Sequence, residues 1–147
     1  MHPLLEGERR KNMKTNICTT QDQSARLLKC GVSTDTADMM FTPHNTLSTE
    51  PYKETLKDRG YIPAWSLTRL LSLLPLKIPC GNFEFWLDFD PINYGKQWSI
   101  GYYCTEKPRT IKGLKRTESL IECAVQEIEW LSANGYKLKG SSAHGED

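Results

Sequence analysis

The sequence lacks any apolar run of the about 18–20 residues needed to cross a bilayer. Its charged N-terminal residues are not followed by the stretch of about 7–15 apolar residues that marks a secretory signal. It also lacks an excess of one charge, since 19 Lys and Arg against 18 Asp and Glu give a formal net charge of +1. These absences argue against a membrane protein and a wholly basic nucleic-acid binder, and they predict a cytoplasmic location.

The five cysteines form no close pair and no Cys-x-x-Cys motif. An odd number of scattered cysteines argues against a disulfide framework and against a zinc ribbon, so a reducing compartment is expected. With 147 residues, 38% of them hydrophobic, the chain can form a hydrophobic core without either device. No catalytic, metal-binding or cofactor motif is recognisable, so no cofactor is predicted.

Short helices are predicted in the N-terminal half. Thr20 and Gln23 fit a capping box, and Gly31 is placed to end that helix in the left-handed conformation. A single helical turn is expected over residues 34–40. Weak periodicity over residues 47–60 predicts a loop with a short strand near its start.

The middle of the chain is predicted to contain a buried helix and a hairpin. Ser66 is a good N-cap for a helix over residues 67–74, which is apolar on most of its surface and is therefore expected at the centre of the core. Alternating apolar and polar residues over 83–90 and 97–104 predict an antiparallel hairpin with one dry face. Residues 110–111 can add a third, short strand.

The clearest helix is predicted from about Thr117 to Ala133, with an apolar stripe formed by Leu120, Ile121, Ala124, Val125, Ile128 and Leu131. We expect the dry face of the hairpin to meet Leu120, Ala124 and Ile128. The predicted fold class is therefore α+β: short N-terminal helices, a buried central helix, and a hairpin covered by the C-terminal helix. A single domain is expected over residues 13–136, between disordered tails 1–12 (or an upstream extension) and 137–147.

Four segments in this order resemble one family: Thr36-Ala37-Asp38-Met39, Ile62-Pro63-Ala64-Trp65-Ser66-Leu67, Leu73-Leu74-Pro75 and Ile128-Glu129-Trp130-Leu131. The family consists of short uncharacterised proteins from phage and mobile-element genomes of gut bacteria. The resemblance covers roughly residues 13–136, and its most specific stretch is Pro-Ala-Trp-Ser-Leu. It implies a genomic setting and no chemistry, because no activity is assigned to the family.

Trp130 is the residue that most suggests an interaction surface. It projects about 140° from the centre of the apolar stripe, on the side that carries Cys123 and Glu127. Tryptophan is enriched at interface hot spots, so Trp130 either binds a protein partner or a second copy of the chain, or is covered by another part of the same chain. Trp86, on the polar face of its strand, poses the same question.

Three other groups are candidate sites. A basic loop of Lys107, Arg109, Lys112, Lys115 and Arg116 could hold a phosphate backbone while Tyr102 and Tyr103 stack on bases, or it is a solvated loop. Asp88 and Asp90, at positions i and i+2, could bind Mg²⁺, or they form the solvated side of the hairpin. Cys30 and His44 are a nucleophile and base only if they meet in the fold, and core packing is the simpler interpretation.

These features give three functional hypotheses. The first is a non-enzymatic protein-interaction module, an accessory protein of phage or mobile-element origin. The second is a nucleic-acid-binding protein that uses the basic loop 107–116. The third, supported least, is a metal-dependent enzyme that uses Asp88 and Asp90.

Overall fold

Residues 17–104, 106 and 110–139 are described by the computed structural model. The α-helices are α1 (Gln21–Lys29), α2 (Leu67–Leu73) and α3 (Leu120–Ala133). The strands are β1 (Met39–Phe41), β2 (Leu47–Ser48), β3 (Ile62–Ala64), β4 (Lys77–Cys80), β5 (Phe83–Ile92), β6 (Gln97–Cys104) and β7 (Thr110–Thr117). The chain divides into two units, Met1–Arg69 and Leu70–Asp147. This mixed α/β structure agrees with the predicted class at that level.

The N-terminal unit contains an antiparallel sheet with strand order β2-β1-β3. One hydrophobic cluster of this unit is formed by Cys18, Met39, Phe41 and Ala64, with Leu47 and Ile62 packed against them. The predicted start of helix α1 is confirmed, because Thr20 Oγ1 accepts from Gln23 N at 3.1 Å and Gln23 Oε1 accepts from Thr20 N at 2.9 Å. This reciprocal pair satisfies two backbone donors that the helix leaves unpaired.

The expected helical turn over 34–40 is wrong in its second half. A 3₁₀ turn spans Thr34–Thr36, with Ser33 Oγ accepting from Asp35 N, and the chain then becomes extended. Strand β1 follows because it pairs with both β2 and β3, and this pairing outweighs the weak local helical preference. A second 3₁₀ helix, Glu54–Arg59, lies in the segment expected to be a loop, whereas the short strand near Leu47 is confirmed.

Two of the segments quoted for the family resemblance lie side by side in the N-terminal unit. The Trp65 indole is fully buried, and its Nε1 donates to Thr36 Oγ1 at 2.9 Å. Ser66 donates to the Asp38 carboxylate from its backbone N (2.9 Å) and its Oγ (2.6 Å). Ser66 Oγ also accepts from Arg69 N at 3.1 Å, so it caps helix α2 as predicted.

The expectation that the central helix is buried on most of its surface is wrong. In α2 only Leu70 and Leu73 are buried, while Thr68, Arg69 and Ser72 are exposed. At about 100° per residue these three polar residues fall on one side of the helix. The helix is therefore amphipathic, and the many leucines concealed its polar side.

The C-terminal unit is a four-stranded antiparallel sheet with order β4-β5-β6-β7, and helix α3 packs on β6 and β7. The predicted hairpin is confirmed as β5 and β6. Strand β4 was not predicted, and β7 extends over eight residues where only 110–111 were expected. Ser119 caps α3 by accepting from Glu122 N, so the helix begins three residues later than predicted, because Thr117 still belongs to β7.

The side chains of this sheet divide between two faces. On the helix face lie Phe85, Ile100 and Tyr102, all buried, whereas Phe89, expected on this dry face, is 42% exposed. In the segment expected as a C-terminal tail, Leu138 is buried and Lys139 N donates to Leu73 O at 2.8 Å.

Candidate functional site

The face of the sheet opposite helix α3 carries a row of side chains across all four strands. In the strand register Lys77 is paired with Trp86, Trp86 with Tyr103, and Tyr103 with Ile111. Paired residues in an antiparallel sheet project to the same side. Trp86 is 47% exposed and Ile111 is 38% exposed, so the row presents aromatic and aliphatic surface to solvent. We call this surface the Trp86 face.

Gly101, on β6, lies on the same face of the sheet as this row. A Cβ atom at Gly101 would lie 3.2 Å from Leu114 Cδ1 and 3.4 Å from Ile111 Cγ2, which places both side chains over the glycine. Leu114 is 37% exposed. Large hydrophobic side chains that are exposed next to one another are uncommon on soluble monomeric proteins. We define the Trp86 patch as Trp86, Tyr103, Ile111 and Leu114.

Charged side chains surround the Trp86 patch. Burial, and then Asp88 and Asp90, raise the pKa of Tyr103, while Arg116 opposes them. These charges therefore lie near the Tyr103 hydroxyl.

At the β4 end of the row, Lys77 Nζ is 3.1 Å from Glu84 Oε2 and 5.3 Å from the centroid of the Trp86 ring. The rim of the patch carries three acidic side chains and two basic ones, so it is slightly acidic. The acidic residues are Glu84, Asp88 and Asp90, and the basic residues are Lys77 and Arg116.

Asp88 and Asp90 were the candidate metal ligands. Partial burial, and then the neighbouring Asp90 carboxyl, raise the pKa of Asp88, as expected for two carboxyl groups on the same side of one strand. Within residues 17–104, 106 and 110–139, no group of three or more His, Cys, Asp or Glu residues is placed to hold a metal ion. The pair therefore contributes charge to the Trp86 face.

Trp130 is partly buried and packs against aromatic residues of its own chain. Its ring stacks against Tyr102 (centroids 6.5 Å apart) and Tyr136 (5.7 Å). It also lies directly over Gly113, where a Cβ atom would come within 2.6 Å of Trp130 Cε3. Of the two alternatives that the sequence left open, these contacts agree with partial cover by the same chain.

Cys123 and Glu127 lie on the same side of α3 as Trp130, and both are fully buried. The Cys123 thiol donates to Lys115 O (3.4 Å) and Trp98 O (3.6 Å), and burial raises its pKa. Burial also raises the pKa of Glu127 to about 8, against a smaller opposing effect of Lys115. The side of α3 that the sequence indicated to be polar is thus the side that contacts β6 and β7.

The predicted basic loop is in its described part a strand. Lys112, paired with Tyr102, lies with its Nζ 5.9 Å from the centroid of the buried Phe85 ring, and Lys115 is paired with Ile100. Both are therefore on the helix face. Arg116 is paired with Ser99 and lies on the Trp86 face. Lys107 and Arg109 fall outside the described residues. The three described cations do not form one continuous basic surface.

The remaining candidates show no catalytic geometry. The Cys30 thiol donates to Leu27 O at 3.4 Å, and His44 is exposed in the turn after β1. An open groove of about 360 Å³ lies between residues 75–79 and 135–137, with a mainly apolar lining. Neither feature brings together a nucleophile, a base and an oxyanion-binding group.

The searches with this chain gave no match to a protein-family model, a curated protein or a solved structure. Across the part of the chain that the structure describes, each helix is too short or too polar to span a membrane.

Sequence reasoning identified Trp86 but missed Tyr103, Ile111 and Leu114 as its neighbours. The alternation in the hairpin contained a signal for Tyr103, because odd-numbered residues of β6 share the face of Trp86. No sequence signal indicated that Ile111 and Leu114 lie beside Trp86, because β7 was predicted over two residues only.

Proposed function

We propose that this chain is a non-enzymatic protein-interaction module that binds a protein partner through the Trp86 patch. The observation that carries the proposal is the half-exposed Trp86 in a four-stranded row of aromatic and aliphatic side chains. Tryptophan and tyrosine supply a large contact area with few rotatable bonds, which is why they dominate interface hot spots. We further propose a cytoplasmic accessory protein of phage or mobile-element origin, supported only by the segments that resemble that family and by the cysteine pattern.

Charge on the Trp86 face favours a partner with basic side chains around an apolar centre. Glu84, Asp88 and Asp90 lie along β5 beside Trp86, and burial, followed by repulsion from Asp90, raises the pKa of Asp88. A partner lysine or arginine placed there relieves that repulsion. The same acidic strand repels the phosphates of a nucleic acid, so a protein partner is favoured over a nucleic acid.

The test compares Trp86→Ala with Tyr94→Ala. Tyr94 is a fully exposed aromatic residue in the turn between β5 and β6, so its variant removes an exposed ring outside the patch. The tagged full chain is used to isolate a bound protein, and the affinity of each variant for that purified protein is then measured. We expect Trp86→Ala to weaken binding by at least about 30-fold, as for a hot-spot residue, and Tyr94→Ala to change it little.

Tyr94→Ala should keep the thermal unfolding midpoint of the unchanged chain, because its ring is fully exposed, and Trp86→Ala should lower the midpoint only slightly, because its ring is half-exposed. A partner that binds Trp86→Ala with unchanged affinity contradicts the proposal. So does a preparation that carries nucleic acid and no protein. Concentration-dependent self-association lost in Trp86→Ala would identify the partner as a second copy of the chain.

A further inference from the structure

Glu127 is a buried carboxyl group without a hydrogen-bond partner. Its side chain is 0% exposed, and in the described part of the chain neither carboxyl oxygen finds a donor or acceptor. Buried polar groups almost always have a partner, so such a group requires a physical explanation. An ionised carboxylate would carry a large desolvation cost at this position, and the site therefore accommodates the neutral form far better.

Three ionisable groups face Glu127. Lys115, on β7, attracts the ionised form and partly offsets the cost of burial. Tyr102, on β6, directs its hydroxyl to Pro75 O at 2.7 Å, and Cys123, one turn earlier on α3, directs its thiol to Lys115 O and Trp98 O. Burial, followed by Glu127, raises the pKa of Tyr102, so this group stays neutral at physiological pH. Neither neutral group is directed at the carboxyl.

We propose that Glu127 is a proton-operated switch for helix α3. The protonated carboxyl keeps the helix packed on β6 and β7. The ionised form favours an open state in which the C-terminal half of the helix separates from the strands and the carboxylate reaches water. Opening would also uncover Trp130, which the packed state holds against Gly113 and Tyr102. This switch lies on the opposite sheet face from the Trp86 patch and does not depend on the proposed function.

The direction of the pH effect follows from the two states. In the packed state the pKa of Glu127 is about 8, and in the open, hydrated state it returns towards its ordinary 4.5. Between these values the packed state holds a proton that the open state releases. The equilibrium constant for opening should therefore rise by up to about tenfold per pH unit across this window and level off outside it.

Hydrogen exchange of the full chain, followed by mass spectrometry from about pH 5.5 to 7.5, measures this equilibrium. After correction for the intrinsic exchange rate, protection of the C-terminal half of α3, residues 127–133, should fall by up to about 100-fold over those two units. In Glu127→Gln, or in Glu127→Met if the first variant does not fold, this fall should disappear. Glu129→Gln, the same substitution two residues away on α3, should retain it.

Two results would overturn the switch. One is that the protection of α3 does not change with pH in the unchanged chain, or that it changes equally in Glu127→Gln. The other is a parallel fall in the protection of strands β5 and β6, because the effect would then be unfolding of the C-terminal unit and not local release of α3. Lys115→Met provides a further check, since losing the attracting cation should extend the fall to higher pH.

Discussion

At the scale of single residues, Gly113 decides how helix α3 meets the sheet. It has a φ of 65° at an irregularity in the pairing of β6 and β7, and its missing side chain leaves the space that the Trp130 ring fills. A positive φ costs a non-glycine residue about 1–2 kcal/mol, and overlap in a packed site costs about 1–3 kcal/mol more. We expect Gly113→Ala to lower the free energy of unfolding by about 2–5 kcal/mol, measured by urea denaturation.

Gly95→Ala is the matched control for this prediction. Gly95 has a φ of 82°, but its Cβ would meet nothing within 4 Å, so only the backbone cost of about 1–2 kcal/mol applies. In a chain that also carries Trp130→Ala, the additional cost of Gly113→Ala should fall to that same value. Equal costs for Gly113→Ala and Gly95→Ala in the unchanged chain would show that the Trp130 contact is unimportant.

The two tryptophans of the C-terminal unit illustrate why a residue's role depends on its neighbours. The helical projection of Trp130 suggested exposure, but the glycine opposite it sits at a bulge that the strand pattern did not predict. Trp86 was placed correctly on the solvent side of β5 because strand alternation needs only local sequence. Trp86 is therefore the exposed tryptophan that the proposed function uses, although Trp130 was the stronger candidate from the sequence.

At the scale of elements, α3 is buried over a wide arc. Ile128, in the predicted apolar stripe, is 0% exposed, and Cys123 and Glu127 are equally buried. Removing a buried isoleucine side chain to Cβ typically costs about 2–5 kcal/mol through lost burial and the remaining cavity. We expect this loss for Ile128→Ala in chemical denaturation. Ile111→Ala, at a 38% exposed position, removes the same atoms and should cost less than about 1.5 kcal/mol. Similar losses for both would refute the packing of α3.

Elements defined by local patterns were predictable, and those defined by distant pairing were not. The capping box at Thr20, the Ser66 cap and the β5–β6 hairpin are encoded within a few residues of where they occur. Strand β4 has only four residues and contains Pro79, and β1 has three residues, so both depend on their partners for strand structure. The lysines and glycine in β7 suggested a loop. The Trp86 patch was therefore only partly predictable, since half of it lies on β7.

At the scale of the whole molecule, the distribution of charge separates the first two functional hypotheses. The chain is nearly neutral, and its described cations at 112, 115 and 116 are divided between the two faces of the sheet. Nucleic-acid affinity depends on several cations that contact phosphates at the same time. For a single strand, each phosphate contact contributes about −0.7 to the slope of log K against log salt. A strand bound on the Trp86 face would meet Arg116 and Lys77 there, and the carboxylates of β5 would oppose it.

We therefore predict weak binding of single-stranded DNA with a shallow salt dependence. Fluorescence anisotropy of a labelled oligonucleotide at several salt concentrations should give a slope of log K against log salt no steeper than about −1.5, which corresponds to about two phosphates. Arg116→Gln should reduce that slope further, whereas Lys112→Gln, on the helix face, should leave it unchanged. A slope steeper than about −3, made shallower by about 2 when the cations at 112, 115 and 116 are replaced together, would instead make nucleic acid the ligand. It would also require these side chains to act from both faces of one strand, because Lys112 and Lys115 lie on the opposite face from Arg116.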